Sequence, residues 1–287
     1  MSAASFAHCR EVTRRANSSF PLAFRLLPGP KRRAMDALYA FSRVTDDLAD
    51  APGDPAAKRD ELAAWRFALA AALAGRPTHP THPALADTVR RFAVPPRYLF
   101  DVIDGVAADL EPVRFAAFAD LYPYCYRVAS AVGLACVHVW GVRPGATLAA
   151  AAGPAEAAGI AFQLTNVLRD LGEDLARGRV YLPEDELKRF GCPPEAWRDP
   201  AHAGAFRALM RFQVARARGN YRAAAGLDRV LTADGRAIFG VMSGTYRALL
   251  DEIERRDYDV FTRRVKAPRW RKAAGFAAAW PVKWGWV

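Results

Sequence analysis

The chain has 287 residues, 52% of them hydrophobic, and its 41 Lys and Arg outnumber its 30 Asp and Glu for a formal charge of +11. That length can bury a sizeable core, and the charge calls for an anionic partner: nucleic acid, an acidic membrane surface or a phosphorylated substrate. Four dispersed cysteines, Cys9, Cys125, Cys136 and Cys192, form no C-x-x-C pair, which argues against a zinc site and a secreted disulfide scaffold and for a reducing compartment, the cytoplasm.

At the N-terminus His8, Arg10, Arg14 and Arg15 stand among small residues with no apolar core of a signal peptide. From Lys31 to Asp50, Ala34, Leu38, Phe41, Val44 and Leu48 recur at helical spacing, and Leu62 to Leu73 and Phe206 to Ala225 behave alike. The run from Val128 to Val142 is too short and too rich in Gly and Ala to span a bilayer, so it reads as a buried core helix. Ala, Leu and Arg favour helix, and long β-branched runs are absent. The expectation is an all-α fold in a single domain over residues 1–287, with loops near 51–56, 75–83, 93–96, 142–145, 177–183 and 190–202. No zinc-finger spacing or RNP-like string supports nucleic acid as the partner.

Two strings carry chemistry. In Arg43-Val44-Thr45-Asp46-Asp47-Leu48-Ala49-Asp50, Asp46 and Asp50 lie one helical turn apart on one face. Alone, this also fits a solvated acidic helix end before the Pro52-Gly53 turn. In Gln163 to Asp174, residues Asn166, Asp170 and Asp174 form an i, i+4, i+8 row, with Gln163 beginning the same stripe and Leu164, Leu168 and Leu171 left to face a core. Such a row is costly to bury without a partner, and a hard divalent cation bridging carboxylates to phosphate oxygens is one. Arg43, Arg169 and Arg179 stand beside the strings, where guanidinium groups suit diphosphate oxygens.

With these strings in place, the chain from about Ser18 to Lys266 resembles the squalene/phytoene synthase family. The resemblance rests on Ser18-Ser19-Phe20, Leu26-Leu27-Pro28, Tyr39 to Arg43 leading into the first Asp string, Tyr124 to Gly133, Gln163 to Pro183 and Tyr246 to Glu254. It implies a helical isoprenoid synthase domain with a central cavity. There Mg²⁺, or Mn²⁺ in its place, bridges two prenyl diphosphates to Asp46, Asp47, Asp50, Asn166, Asp170 and Asp174. It also implies substrate contacts from Ser19, Arg43, Gln163, Asn166, Arg169, Arg179 and Arg264, and catalytic aromatic roles for Phe20, Tyr39, Tyr124 and Tyr246. One donor ionises to an allylic cation, the second attacks it, and proton loss closes a cyclopropylcarbinyl diphosphate.

Within the family, Tyr124 to Ser130, Leu209 to Gln213 and Tyr246 to Glu254 lean toward bacterial presqualene diphosphate synthases of hopanoid-type pathways. The first expectation is therefore two C15 farnesyl diphosphates, with downstream squalene-pathway enzymes as partners. The alternative is a phytoene synthase using two C20 geranylgeranyl diphosphates; a hydroxysqualene-forming relative and a non-catalytic helical scaffold follow. Thr45 before the Asp pair and Ala16-Asn17 before Ser18 depart from the family pattern. No Gly-rich dinucleotide fingerprint is visible, so NADPH is not expected. Residues 263–287 hold seven Lys and Arg, no acid, and Trp270, Trp280, Trp284 and Trp286, a mixture suited to peripheral binding at an anionic membrane.

Overall fold

The computed structural model describes residues 2–16, 20–111 and 113–284. Their helices are α1 (Ser2–Arg15), α2 (Phe20–Ala23), α3 (Gly29–Asp50), α4 (Pro55–Leu73), α5 (His82–Phe92), α6 (Pro96–Ala108) and α7 (Phe118–Cys125). There follow α8 (Ala131–Trp140), α9 (Leu148–Ala176), α10 (Glu184–Arg189), α11 (Ala203–Ala223), α12 (Ala233–Arg255) and α13 (Arg269–Lys283), with short 3₁₀ turns between some of them. Among the described residues there is no strand, only an isolated bridge between Val142 and Leu231. The fold is all-α, as expected.

Local chemistry sets the helix starts. Prolines in the first turn open α3, α4, α5 and α6, where a missing N–H costs nothing. Side chains of Asp54, Thr147 and Thr232 accept the orphan amides of α4, α9 and α12. The 29-residue α9 lies at the centre, packed by α8, α11 and α12. Between α7 and α8 the helix widens into a π segment, Tyr126–Ser130. It is held between α6 and α9 so closely that a Cβ on Gly105 would come within 2.7 Å of Val128, and one on Gly159 within 2.4 Å of the Ser130 backbone.

Two apolar clusters form the interior. One joins α3, α6 and α8 to the start of α12 through Phe41, Ile103, Trp140 and Ile238. The other joins α9, α11 and the end of α12 through Ile160, Leu168, Leu209 and Leu250. All four cysteines are buried free thiols.

Unexpected loops run through 109–111, 113–117 and 256–268, where no Gly marks the breaks. The basic C-terminal stretch forms α13, which lies along α12. Its indoles do not cover the core: Trp270, Trp280 and Trp284 are 68%, 54% and 58% exposed, while Phe276 packs inward. Trp286 lies outside the described residues. No helix among the described residues is long and apolar enough to cross a membrane.

Candidate active site

Helix α3 carries Asp46 and Asp50, and α9 carries Asn166, Asp170 and Asp174. The two rows converge on a residue from a third element, Asp109, at the end of α6. Its carboxylate is within electrostatic reach of Asp46 and Asp50 on one side and Asp174 on the other. Tyr124 donates to it at 3.0 Å and Tyr181 at 2.8 Å, the two rings stacking 5.2 Å apart, and Arg179 donates to its backbone oxygen at 3.0 Å.

Crowded carboxylates hold their protons. Asp46 reaches the open mouth, yet surrounding protein displaces enough water to push its carboxyl up to about 7, with like charge from Asp50 adding to the effect. Asp174 is raised to about 6, first by burial and then by Asp170. Burial also raises Asp109, against the opposing hydrogen bonds from Tyr181 and Tyr124 and the charge of Arg179. The Tyr124 phenol is raised well above its ordinary range by burial and by Asp109. Asp170 is already engaged: Arg169 donates to it at 2.7 Å, and Arg264 lies 3.2 Å from it and 3.6 Å from Glu173.

From this mouth a cavity of about 320 Å³ runs inward. Ser42, Asp46, Gln163 and Asn166 line its polar end, with Tyr39 and Tyr246 beside them. Tyr246 stacks on Phe162 at 4.5 Å, and Tyr39 meets Phe24 edge-on at 6.1 Å. The remaining wall is apolar. Val128, Val132, Cys136 and Trp140 descend one side at four-residue intervals, a stripe of roughly 18 Å at helical rise. Trp140 sits at the deep end, backed by a polar clamp: Lys31 and Thr232 each donate to its backbone oxygen at 2.6 Å, and Lys31 pairs with Asp234 at 2.7 Å.

The donor set fits divalent cations. The Asn166 side-chain oxygen is buried and accepts no hydrogen bond, and the carboxylates repel one another. Among the described residues no three His, Cys, Asp or Glu side chains group closely enough to hold an ion by themselves. Mg²⁺ takes one or two carboxylates and completes its shell with water and substrate phosphates, so an ion at this mouth would need oxygens from the substrate.

Not every expected residue joins this centre. Asp47 pairs with Arg43 one turn away, both about half-exposed, instead of lining the cavity. Tyr124 stands beside the mouth and does not line the apolar cavity. Ser19 lies outside the described residues, and of Phe20 only the backbone, opening α2, is described. Sequence reading assigned no role to Asp109 or Tyr181. Tyr181 was visible in the second string; Asp109 has no spaced partner in the sequence and is recognisable only once α6 ends against α9.

The chain matches the squalene/phytoene synthase family over residues 13–271. It is 40% identical over 279 residues to phytoene synthase 3, chloroplastic, of Zea mays, across 96% of this chain and 66% of the maize protein. It is 38% identical over 283 residues to the 15-cis-phytoene synthase of Synechococcus elongatus, across 96% of this chain and 92% of that protein. Among solved structures it superposes on a dehydrosqualene synthase with a TM-score of 0.82 at 28% identity, covering 96% of this chain and 95% of that one. Squalene synthase HpnC from Alicyclobacillus acidocaldarius gives 0.80 at 26% identity, covering 88% and 94%. These relatives correct the expectation of a farnesyl-using presqualene diphosphate synthase: the curated proteins at 36–40% identity are phytoene synthases.

Proposed function

The chain belongs to the squalene/phytoene synthase family, prenyltransferases that condense prenyl diphosphates, and we propose that it joins two geranylgeranyl diphosphates head to head to make phytoene. The observation that carries this reading is its identity to phytoene synthases, 36–40% along nearly the whole chain, against 26–28% to the squalene-type structures. The downstream squalene-pathway partners expected from the sequence fall with the farnesyl reading.

Asp46, Asp50, Asp170 and Asp174, with the free Asn166 oxygen, are the groups that would hold Mg²⁺, or Mn²⁺ in its place, which when bound neutralises the diphosphate and eases its departure. Arg169, Arg179 and Arg264 crowd the same mouth and can turn toward diphosphate oxygens bidentately. Arg43 approaches from α3. Tyr39 and Tyr246 present π faces where the allylic cation forms, and the apolar wall keeps water from quenching it.

Tyr124 and Asp109 form a proton-handling pair at the diphosphate end. As charge grows on the departing oxygen, the phenol can turn its hydrogen from Asp109 to that oxygen, while Asp109, already raised by burial, stays ready to accept a proton. The first stage loses one diphosphate and one proton. The second loses another diphosphate and another proton to leave a central double bond, so no hydride donor such as NADPH is required. The reaction would thus run past the cyclopropyl diphosphate at which a presqualene diphosphate synthase ends.

Incubating the purified chain with Mg²⁺ and either farnesyl or geranylgeranyl diphosphate, without NADPH, tests the reading. A C40 hydrocarbon from the C20 substrate is expected. Efficient use of farnesyl diphosphate with no C40 product would overturn it.

The anionic bilayer surface is proposed as a second partner, through α13. Its exposed indoles sit among Arg269, Arg271, Lys272 and Lys283. Deleting residues from Pro268 onward should reduce flotation with anionic liposomes, and salt should weaken binding of the full chain. If both forms ignore liposomes at low salt, the surface reading fails.

A further inference from the structure

Helix α12 has two occupied faces. Phe239, Met242 and Tyr246 face the reaction cavity, while Arg236, Gly240, Ser243, Gly244 and Arg247 face a second, solvent-open groove of about 470 Å³ between α12 and α13. Phe239 lines both. The short 3₁₀ turn Ala224–Arg229 is split in the same way, with Leu227 on the cavity and Ala225 and Asp228 on the groove. At this level the wall between cavity and groove is one side chain thick.

The groove is kept open by missing side chains. A Cβ on Gly240, Gly244 or Gly275 would meet no atom within 4 Å, so the glycines face space and not a packed neighbour. Helix α12 gives up helix-favouring side chains at two interior positions there. The far wall is the Gly275, Ala278, Ala279 and Val282 stripe of α13, the helix whose other residues present Trp270, Trp280 and Trp284 to the outside.

We propose that the α12–α13 groove is the exit path for the hydrocarbon product, with Phe239 as the partition it passes. The proposal rests on the phytoene reading in taking that product to be a C40 hydrocarbon with no charged group. Leaving by the mouth would draw such a molecule past Asp46, Asp50, Asp109, Asp170 and Asp174 and into water. Leaving by the groove brings it against Phe239, Ala237, Ala278 and Val282, with Asp228, Arg236 and Arg247 at the groove's other positions, until it reaches the surface of α13. The two diphosphates released in the reaction depart by the polar mouth, so hydrophobic and charged products part company.

Gly240→Leu and Gly244→Leu in the full chain fill the groove without touching the cavity lining. Both should fold with an unchanged or higher melting temperature and keep the single-turnover rate. With phosphatidylcholine/phosphatidylglycerol vesicles, steady-state turnover should fall roughly fivefold or more after a burst near one product per chain, and the product should stay with the protein on flotation. Phe239→Ala should release product at least as fast as the natural chain. A second readout needs no catalysis: transfer of a preloaded pyrenyl-alkane from the cavity to vesicles should slow by a similar factor in Gly244→Leu. Unchanged probe transfer and unchanged product release overturn the exit path, as does a parallel fall in single-turnover and steady-state rates. Slowed transfer in a chain that makes no C40 product would instead leave the path standing and remove the phytoene reading.

Discussion

At the deep end of the cavity, Lys31 and Asp234 lie 2.7 Å apart, and the same ammonium donates to Trp140 and Thr232, so the charge is matched where it is buried. At the mouth, Asp46, Asp50, Asp109 and Asp174 repel one another, and burial and like charge lift Asp46 to about 7 and Asp174 to about 6. The residue type is the same at both ends; the difference is whether the partner is supplied by the protein. A folded chain that leaves several carboxylates short of partners forgoes stability there, and the shortfall marks the place where a cationic ligand belongs.

The contrast breaks most visibly if the mouth carboxylates prove structural. Asp46→Asn and Asp170→Asn should each lower turnover by roughly three orders of magnitude, with thermal midpoints by circular dichroism no lower than that of the natural chain. Turnover within tenfold of natural in either variant would erase the distinction between the two ends.

The Tyr124 and Asp109 pair sharpens it at the next level. Asp109→Asn should reduce turnover on the order of 100-fold, and Tyr124→Phe should divert product more than it weakens substrate binding. Because the two groups share one hydrogen bond, the double variant should lose little more than the worse single one. Additive losses would mean that they act separately.

At the deep end the loss should appear in stability instead. Lys31→Met strands Asp234, and a partly exposed pair of this kind should cost about 2 kcal/mol in urea unfolding, with turnover of the folded fraction retained.

Asp36, buried between α1 and α3, belongs to neither end and measures what burial alone does. Burial raises it to about 6, opposed by Arg10 and Arg32. Because the folded state favours its protonated form, the penalty is absent below the ordinary carboxylate range and grows as pH rises toward 6. Asp36→Asn should therefore stabilise the chain by about 1 to 2 kcal/mol at pH 8 and have little effect near pH 4. Equal effects at both pH values would assign the change to packing.

The readability of this molecule followed the range of the interactions involved. Asp46 with Asp50, and Asn166 with Asp170 and Asp174, were visible because helical periodicity is a local property of the sequence. Asp109 was not, because it meets its tyrosines across 15 and 72 residues. The widened turn at Tyr126–Ser130 left no signal either: it is set by the approach of Gly105 and Gly159 from two other helices. Substrate length depends on a cavity with walls from α3, α8, α9 and α12, and no single string records that volume.

The π segment also fixes the counting frame of the chain. It already holds one residue more than an α-helix needs, so it has no slack to absorb another, and inserting a residue beside Ala129 would turn α7 by about 100° against α8. Tyr124 would swing off Asp109, and Gly159 would lose the backbone it was left bare to admit. Substitutions along this stretch can be absorbed one at a time, whereas one added residue re-aims everything upstream of it. Lineages descending from this chain should therefore vary in letters here and gain none.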